Sequence, residues 1–165
     1  MSDQAPHTLR TGEELVDESE LIIYRQITSH LWNEKDRKPS SSAFGPSTAD
    51  KFMPSFVRSD KVSAQQSRDW HNENARSPSL SVWAVSVSEV DEADTAVVDD
   101  SAVDLAAGEK RAPGHCFVEY RHLESKKSAV RQVRLRLLVS AIKRGEQKTK
   151  KSRKAKTDVT DATET

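Results

Sequence analysis

Leu80-Ser-Val-Trp-Ala-Val-Ser-Val-Ser88 is the densest run of β-branched and aromatic residues in the chain. In an extended backbone Val82, Ala84 and Ser86 share one face, and Trp83, Val85 and Val87 share the other. Apolar residues on both faces predict an inner strand covered on each side. Two more segments have strand composition. One is residues 21–27, with Leu21, Ile22, Ile23, Tyr24 and Ile27. The other is residues 115–120, after the turn Ala112-Pro-Gly114. There Cys116, Val118 and Tyr120 face one way, and His115, Phe117 and Glu119 the other.

Two helices frame these strands. Ser63-Ala-Gln-Gln66 has the form of a capping box, which predicts a helix over 64–75 with a thin apolar face of Ala64, Trp70 and Ala75. A second helix is predicted over 125–144. Val130, Val133, Leu137, Leu138, Ala141 and Ile142 recur at three- and four-residue spacing, Ser125 stands at the cap position, and Gly145 ends the run. Residues 41–45 read as a further extended piece anchored by Phe44. Residues 88–110 read as an acidic loop in which Val97-Val98 add a short extended turn. The expected fold is therefore α+β: a small mixed or antiparallel sheet covered by two helices, in one domain over residues 19–145. A disordered lead over 1–18 and a disordered basic tail over 146–165 complete the expectation.

Composition bounds the function. Of 165 residues, 35% are hydrophobic, 32% charged and only 5% aromatic, enough for one modest core. No apolar segment reaches the length of a membrane span, and the first residues have no basic start followed by an apolar run, so a cytoplasmic protein is expected. The single cysteine, Cys116, has no partner for an internal disulfide. The net charge of zero hides opposed halves. Residues 1–109 hold 10 basic and 20 acidic residues, whereas 110–165 hold 16 basic and 6 acidic. Such halves either attract one another or give a basic end that meets an anionic partner.

No phosphate-loop, dinucleotide, zinc-hydrolase or esterase motif is present. The acidic stretch lacks the ordered spacing of a calcium loop. His115 and Glu119 share a strand face but lie about 13 Å apart along it, too far for one ion, so no metal and no cofactor are expected. Cys116 and His115 point to opposite faces, which favours a structural thiol over a nucleophile. The predicted C-terminal helix and tail carry Lys126, Lys127, Arg131, Arg134, Lys148, Lys150, Lys151, Arg153 and Lys154. This cationic end is expected to bind a partner, protein or nucleic acid. It lacks the aromatic platforms of single-strand binders.

The motifs in order are Tyr24-Arg-Gln26, Ser41-Ser-Ala-Phe-Gly-Pro-Ser47, Ser81-Val-Trp-Ala-Val-Ser-Val87 and His115-Cys-Phe-Val-Glu-Tyr120. They resemble a group of small uncharacterised bacterial proteins over residues 20–145. Gly45 departs from that group, where an arginine is common, as does the long acidic insert before His115. The layout also resembles, more faintly, ADP-ribosyltransferase-like toxins. That resemblance implies catalytic roles for Arg25, Ser41 or Ser42, and Glu119: the arginine would hold a diphosphate, and the glutamate would orient a hydroxyl. The plainer expectation is that Arg25 pairs with an acid such as Glu119 across the sheet.

Overall fold

The computed structural model describes residues 8–151. Eight strands form: β1 (Glu14–Leu15), β2 (Ile22–Ile27), β3 (Trp32–Asn33), β4 (Lys38–Pro39), β5 (Ser55–Arg58), β6 (Ser81–Ser86), β7 (Val97–Asp99) and β8 (His115–Val118). Three helices join them: α1 (Ala64–Asn74), α2 (Val87–Glu92) and α3 (Lys127–Arg144). Six strands make one sheet in the order β1-β7-β8-β5-β2-β6, with every pairing antiparallel. β3 and β4 form a separate hairpin. The α+β expectation holds.

Alternation divides the sheet into two buried faces. Ile23, Ile27, Phe56, Trp83, Val85, Val97, Cys116 and Val118 enter the main core. Val90 of α2 and Val133, Leu137 and Ala141 of α3 close over them. Val57, Val82, Ala84, Val98 and Phe117 are also buried but belong to the opposite face. α1 lies against β2 and β6 there, with Gln26 Nε2 donating to Ser67 Oγ at 2.8 Å. The capping box forms as expected. Gln66 N–H donates to Ser63 Oγ at 3.0 Å and Ser63 N–H donates to Gln66 Oε1 at 2.8 Å.

Several expectations are corrected. The central stretch is extended only to Ser86, because Ser86-Val-Ser-Glu89 is a second capping box that turns the chain into α2. β6 is an edge strand rather than an inner one. Its free side is covered by the segment after α3, where Gln147 N–H donates to Val82 O at 2.8 Å in an antiparallel bridge. Residues 146–151 are thus pinned, not loose. Lys150 N–H donates to Gln65 Oε1 at 2.6 Å, and Arg68 Nη1 donates to Thr149 Oγ1 at 2.8 Å. The expected tail beyond residue 151, and the lead before residue 8, lie outside the described residues.

The remaining lead is structured too. β1 pairs with β7, and Val16 is buried after its N–H donates to Val97 O at 2.9 Å. Within the expected acidic loop, Val97 and Val98 bury on both faces and make β7 an inner strand. Residues 41–45 form tight turns instead of a strand, with Ala43 N–H on Ser40 O and Gly45 N–H on Ser42 O, while Phe44 is buried as expected. α3 starts at Lys127, two residues late. A 3-10 turn over Arg121–Leu123 precedes it, Lys126 occupies the cap position, and its side chain makes no cap bond. Cys116 is fully buried, and burial raises its pKa well above the ordinary value.

Candidate functional site

Arg25 sits half-buried on β2. Its Nε donates to Ala43 O at 2.9 Å, its Nη1 donates to Ser55 O at 3.0 Å, and its guanidinium lies 5.4 Å over the Phe56 ring. Burial lowers its pKa, with Asp50 and Tyr120 acting in the opposite sense. The guanidinium stays charged all the same. Among the described residues no carboxylate lies within ion-pair distance of it.

The expected Arg25–Glu119 pair does not form. Glu119, 2% exposed, accepts from Arg121 Nε at 2.8 and 3.0 Å. Arg121 reaches on to Glu13, with Nη2 on Oε1 at 2.9 Å, and lies 5.1 Å over the Phe117 ring. Burial pushes the Glu13 carboxyl up, but hydrogen bonds from Arg121 and Arg10 outweigh it and leave the pKa below the ordinary 4.5. Ser41 and Ser42 sit exposed on a turn, with the Ser42 hydroxyl 3.3 Å from that of Ser40. Arg25, Ser42 and Glu119 therefore do not surround one cavity: of the three, only Arg25 lines the cleft described below.

The basic set divides as well. Lys126, Lys127 and Arg131 are exposed, and none has a carboxylate within 4 Å among the described residues. Arg134 instead packs over Gly45, where a Cβ would approach its side chain to 3.0 Å, and its buried Nε has no hydrogen-bond partner. Arg144 pairs with Glu89 at 2.6 Å and Arg136 approaches Asp94 at 3.7 Å. Lys148, Lys150 and Lys151 sit on the pinned segment, beside Gln65 and Asp69 of α1. Arg153 and Lys154 lie outside the described residues.

A cleft of about 650 Å³ lies on the sheet face opposite α3. Its floor includes Tyr24, Gln26, Ser55, Val57 and His115. Ser67, Trp70 and His71 of α1 form one wall, and the loop through Asp104 and Arg111 forms the other. Lys51 lines the cleft, and it and the next residue, Phe52, stand at positive φ, 54° and 64°, a strained arrangement of non-glycine residues.

Within this cleft three side chains make a continuous relay. Ser55 Oγ is 3.0 Å from His115 Nε2, and His115 Nδ1 is 2.7 Å from Asp100 Oδ1. The sheet register accounts for the placement. Asp99 pairs with Cys116, so Asp100 follows at the level of His115. Val57 pairs with His115, so Ser55, two residues earlier, is its diagonal neighbour on the same face. Three adjacent strands thus each deliver one group. Ser55 and Asp100 carried no signal in the linear sequence, because neither spacing nor composition reveals strand register.

Comparison of the chain with protein-family models, with curated proteins and with solved structures returns no match.

Proposed function

We propose that this chain is a binding or accessory protein of a bacterial cytosol whose partner is an acidic protein surface docked on the outer face of α3. One observation carries this reading: the composition of that face. Lys127, Arg131 and Lys143 lie there with no ion pair among the described residues, interleaved with Val139, 65% exposed, and Ile142, 37% exposed. Apolar side chains set among free cations suit a protein interface, which needs both. Phosphate neutralisation needs the cations alone, and Arg136 and Arg144 are already paired with carboxylates of the fold. The bacterial setting is supported by the motif resemblance. No helix among the described residues is long and apolar enough to cross a membrane.

The test is fluorescence anisotropy with a labelled Glu/Leu-rich peptide and with a short duplex DNA, at low and about 0.15 M salt. The expected result is peptide binding that survives the higher salt and is lost in both Val139→Asp and Arg131→Glu. Tighter binding to DNA, indifferent to Val139→Asp and abolished by salt, would replace the acidic protein with a nucleic acid as the partner.

A further inference from the structure

We propose that Ser55, His115 and Asp100 form a serine-nucleophile active site in the sheet-face cleft, acting on carboxylic esters that carry a negative charge. The geometry points to these roles in turn. With Nδ1–H of His115 donating to Asp100, Nε2 is left free to accept the Ser55 proton. Asp100 is a positioning residue that fixes this tautomer. Ser55 is itself exposed, and all three groups line the cleft wide enough for a small ligand.

Arg25 supplies the complementary charge. It donates to the carbonyl of Ser55 itself, so its guanidinium is anchored at the nucleophile's own residue. Two of its N–H groups are used by Ala43 and Ser55. Three of the five a guanidinium offers remain for a ligand. They suit a substrate carboxylate held at the edge of the cleft, where Arg25 reaches the Ser55 carbonyl.

The chemistry balances without a further reactant beyond water. Ser55 Oγ attacks the ester carbonyl carbon as His115 Nε2 takes the hydroxyl proton. The carbon–oxygen bond to the leaving alcohol breaks, and His115 returns the proton to that oxygen. Water then attacks the acyl-serine and loses its proton to His115. The Ser55 oxygen–acyl bond breaks, Ser55 recovers the proton, and a carboxylic acid leaves.

The test treats the full chain with a fluorophosphonate and locates the adduct by mass spectrometry, alongside p-nitrophenyl acetate and p-nitrophenyl hemisuccinate hydrolysis. The adduct is expected on Ser55 alone. His115→Ala should slow labelling by ~10²-fold or more. Asp100→Asn should slow it comparably and change its pH profile, which loss of a merely structural contact would not do. Thermal unfolding verifies that each variant is folded. A folded, unlabelled wild-type chain would overturn the active site, even if Ser55→Ala lowers the melting temperature. Labelling of Ser55 with equal rates on the two esters would keep the nucleophile and overturn the anionic substrate class.

Discussion

Arg121 holds two buried carboxylates, Glu13 and Glu119, and covers the Phe117 ring. Removing the cation leaves buried Glu119 without its cation and Glu13 with Arg10 alone, which costs more than the loss of a surface pair. Arg121→Ala is therefore expected to lose about 3 kcal/mol or more, read as a fall in the urea midpoint. Gly12 has a different constraint. Its φ is +92°, and a Cβ there would stand 2.6 Å from the Ala102 carbonyl oxygen, backbone that cannot rotate away. Gly12→Ala should destabilise the chain by more than ~1 kcal/mol, measured the same way. Val85 is fully buried in the main core. Val85→Asp should abolish folding, and a soluble variant with native circular dichroism would contradict its place there.

Among the elements, β6 is the one most exposed to failure. All six of its residues are buried, yet it stands at a sheet edge, and an apolar edge is a template for pairing with another chain. The bridge from Gln147 and the ties from Thr149 and Lys150 to α1 cover that edge. Truncation after Gly145 is expected to lower the melting temperature and to raise the oligomer fraction in light scattering. A monomer of unchanged stability would show that the segment only rests on the surface. α2 depends on one residue twice. Glu89 accepts from Ser86 N–H at 2.8 Å to close the capping box and pairs with Arg144 of α3. Glu89→Ala should cost about 1–2 kcal/mol in chemical denaturation, whereas Asp94→Ala, at an exposed pair, should cost little.

At the scale of the whole molecule, the acidic and basic halves meet. Glu13 pairs with Arg121, and Glu89 pairs with Arg144, so part of the charge asymmetry is attraction within the fold. Titration follows from this. The Glu13 and Glu89 carboxyls lie below the ordinary 4.5, and Asp60 and Asp99 below the ordinary 3.8. For Asp60 the hydrogen bond from Arg58 is the main cause. For the other three, burial pushes upward and hydrogen bonds more than offset it. A group depressed in the folded state binds its proton first in the unfolded chain. Its contribution is complete above the ordinary value and is lost as pH falls through the folded value. Cys116 acts in reverse, with stability present below 9.0 and lost as pH climbs toward its raised folded value. Burial holds the His71 imidazole below its ordinary 6.5, so its contribution is complete above 6.5 and is lost as pH falls through the folded value. Urea midpoints should therefore be flat between pH 6.5 and 9 and fall on both sides. A midpoint that stays flat from pH 6.5 down to 4.5 would contradict the burial of His71.

The three strong strands, the capping box at Ser63 and the C-terminal helix were legible in the chain, because each depends on side chains within a few residues. So was the burial of Phe44 and Cys116. The second box at Ser86 was equally local, but the apolar run through Val87 masked it. Arg25 was legible as a candidate on the resemblance, and its place in the cleft came from the fold. The segments able to bury one face can be read from the chain alone, because period-two and period-four patterns are written in neighbouring residues. Strand order and register arise only in the assembled fold. These put β6 at an edge, made a strand of Val97–Asp99, turned Glu119 toward Arg121, and brought Ser55, Asp100 and His115 together from three strands. Register is set by the packing of all strands at once, and a one-residue slip would reverse every face, so no local stretch contains it.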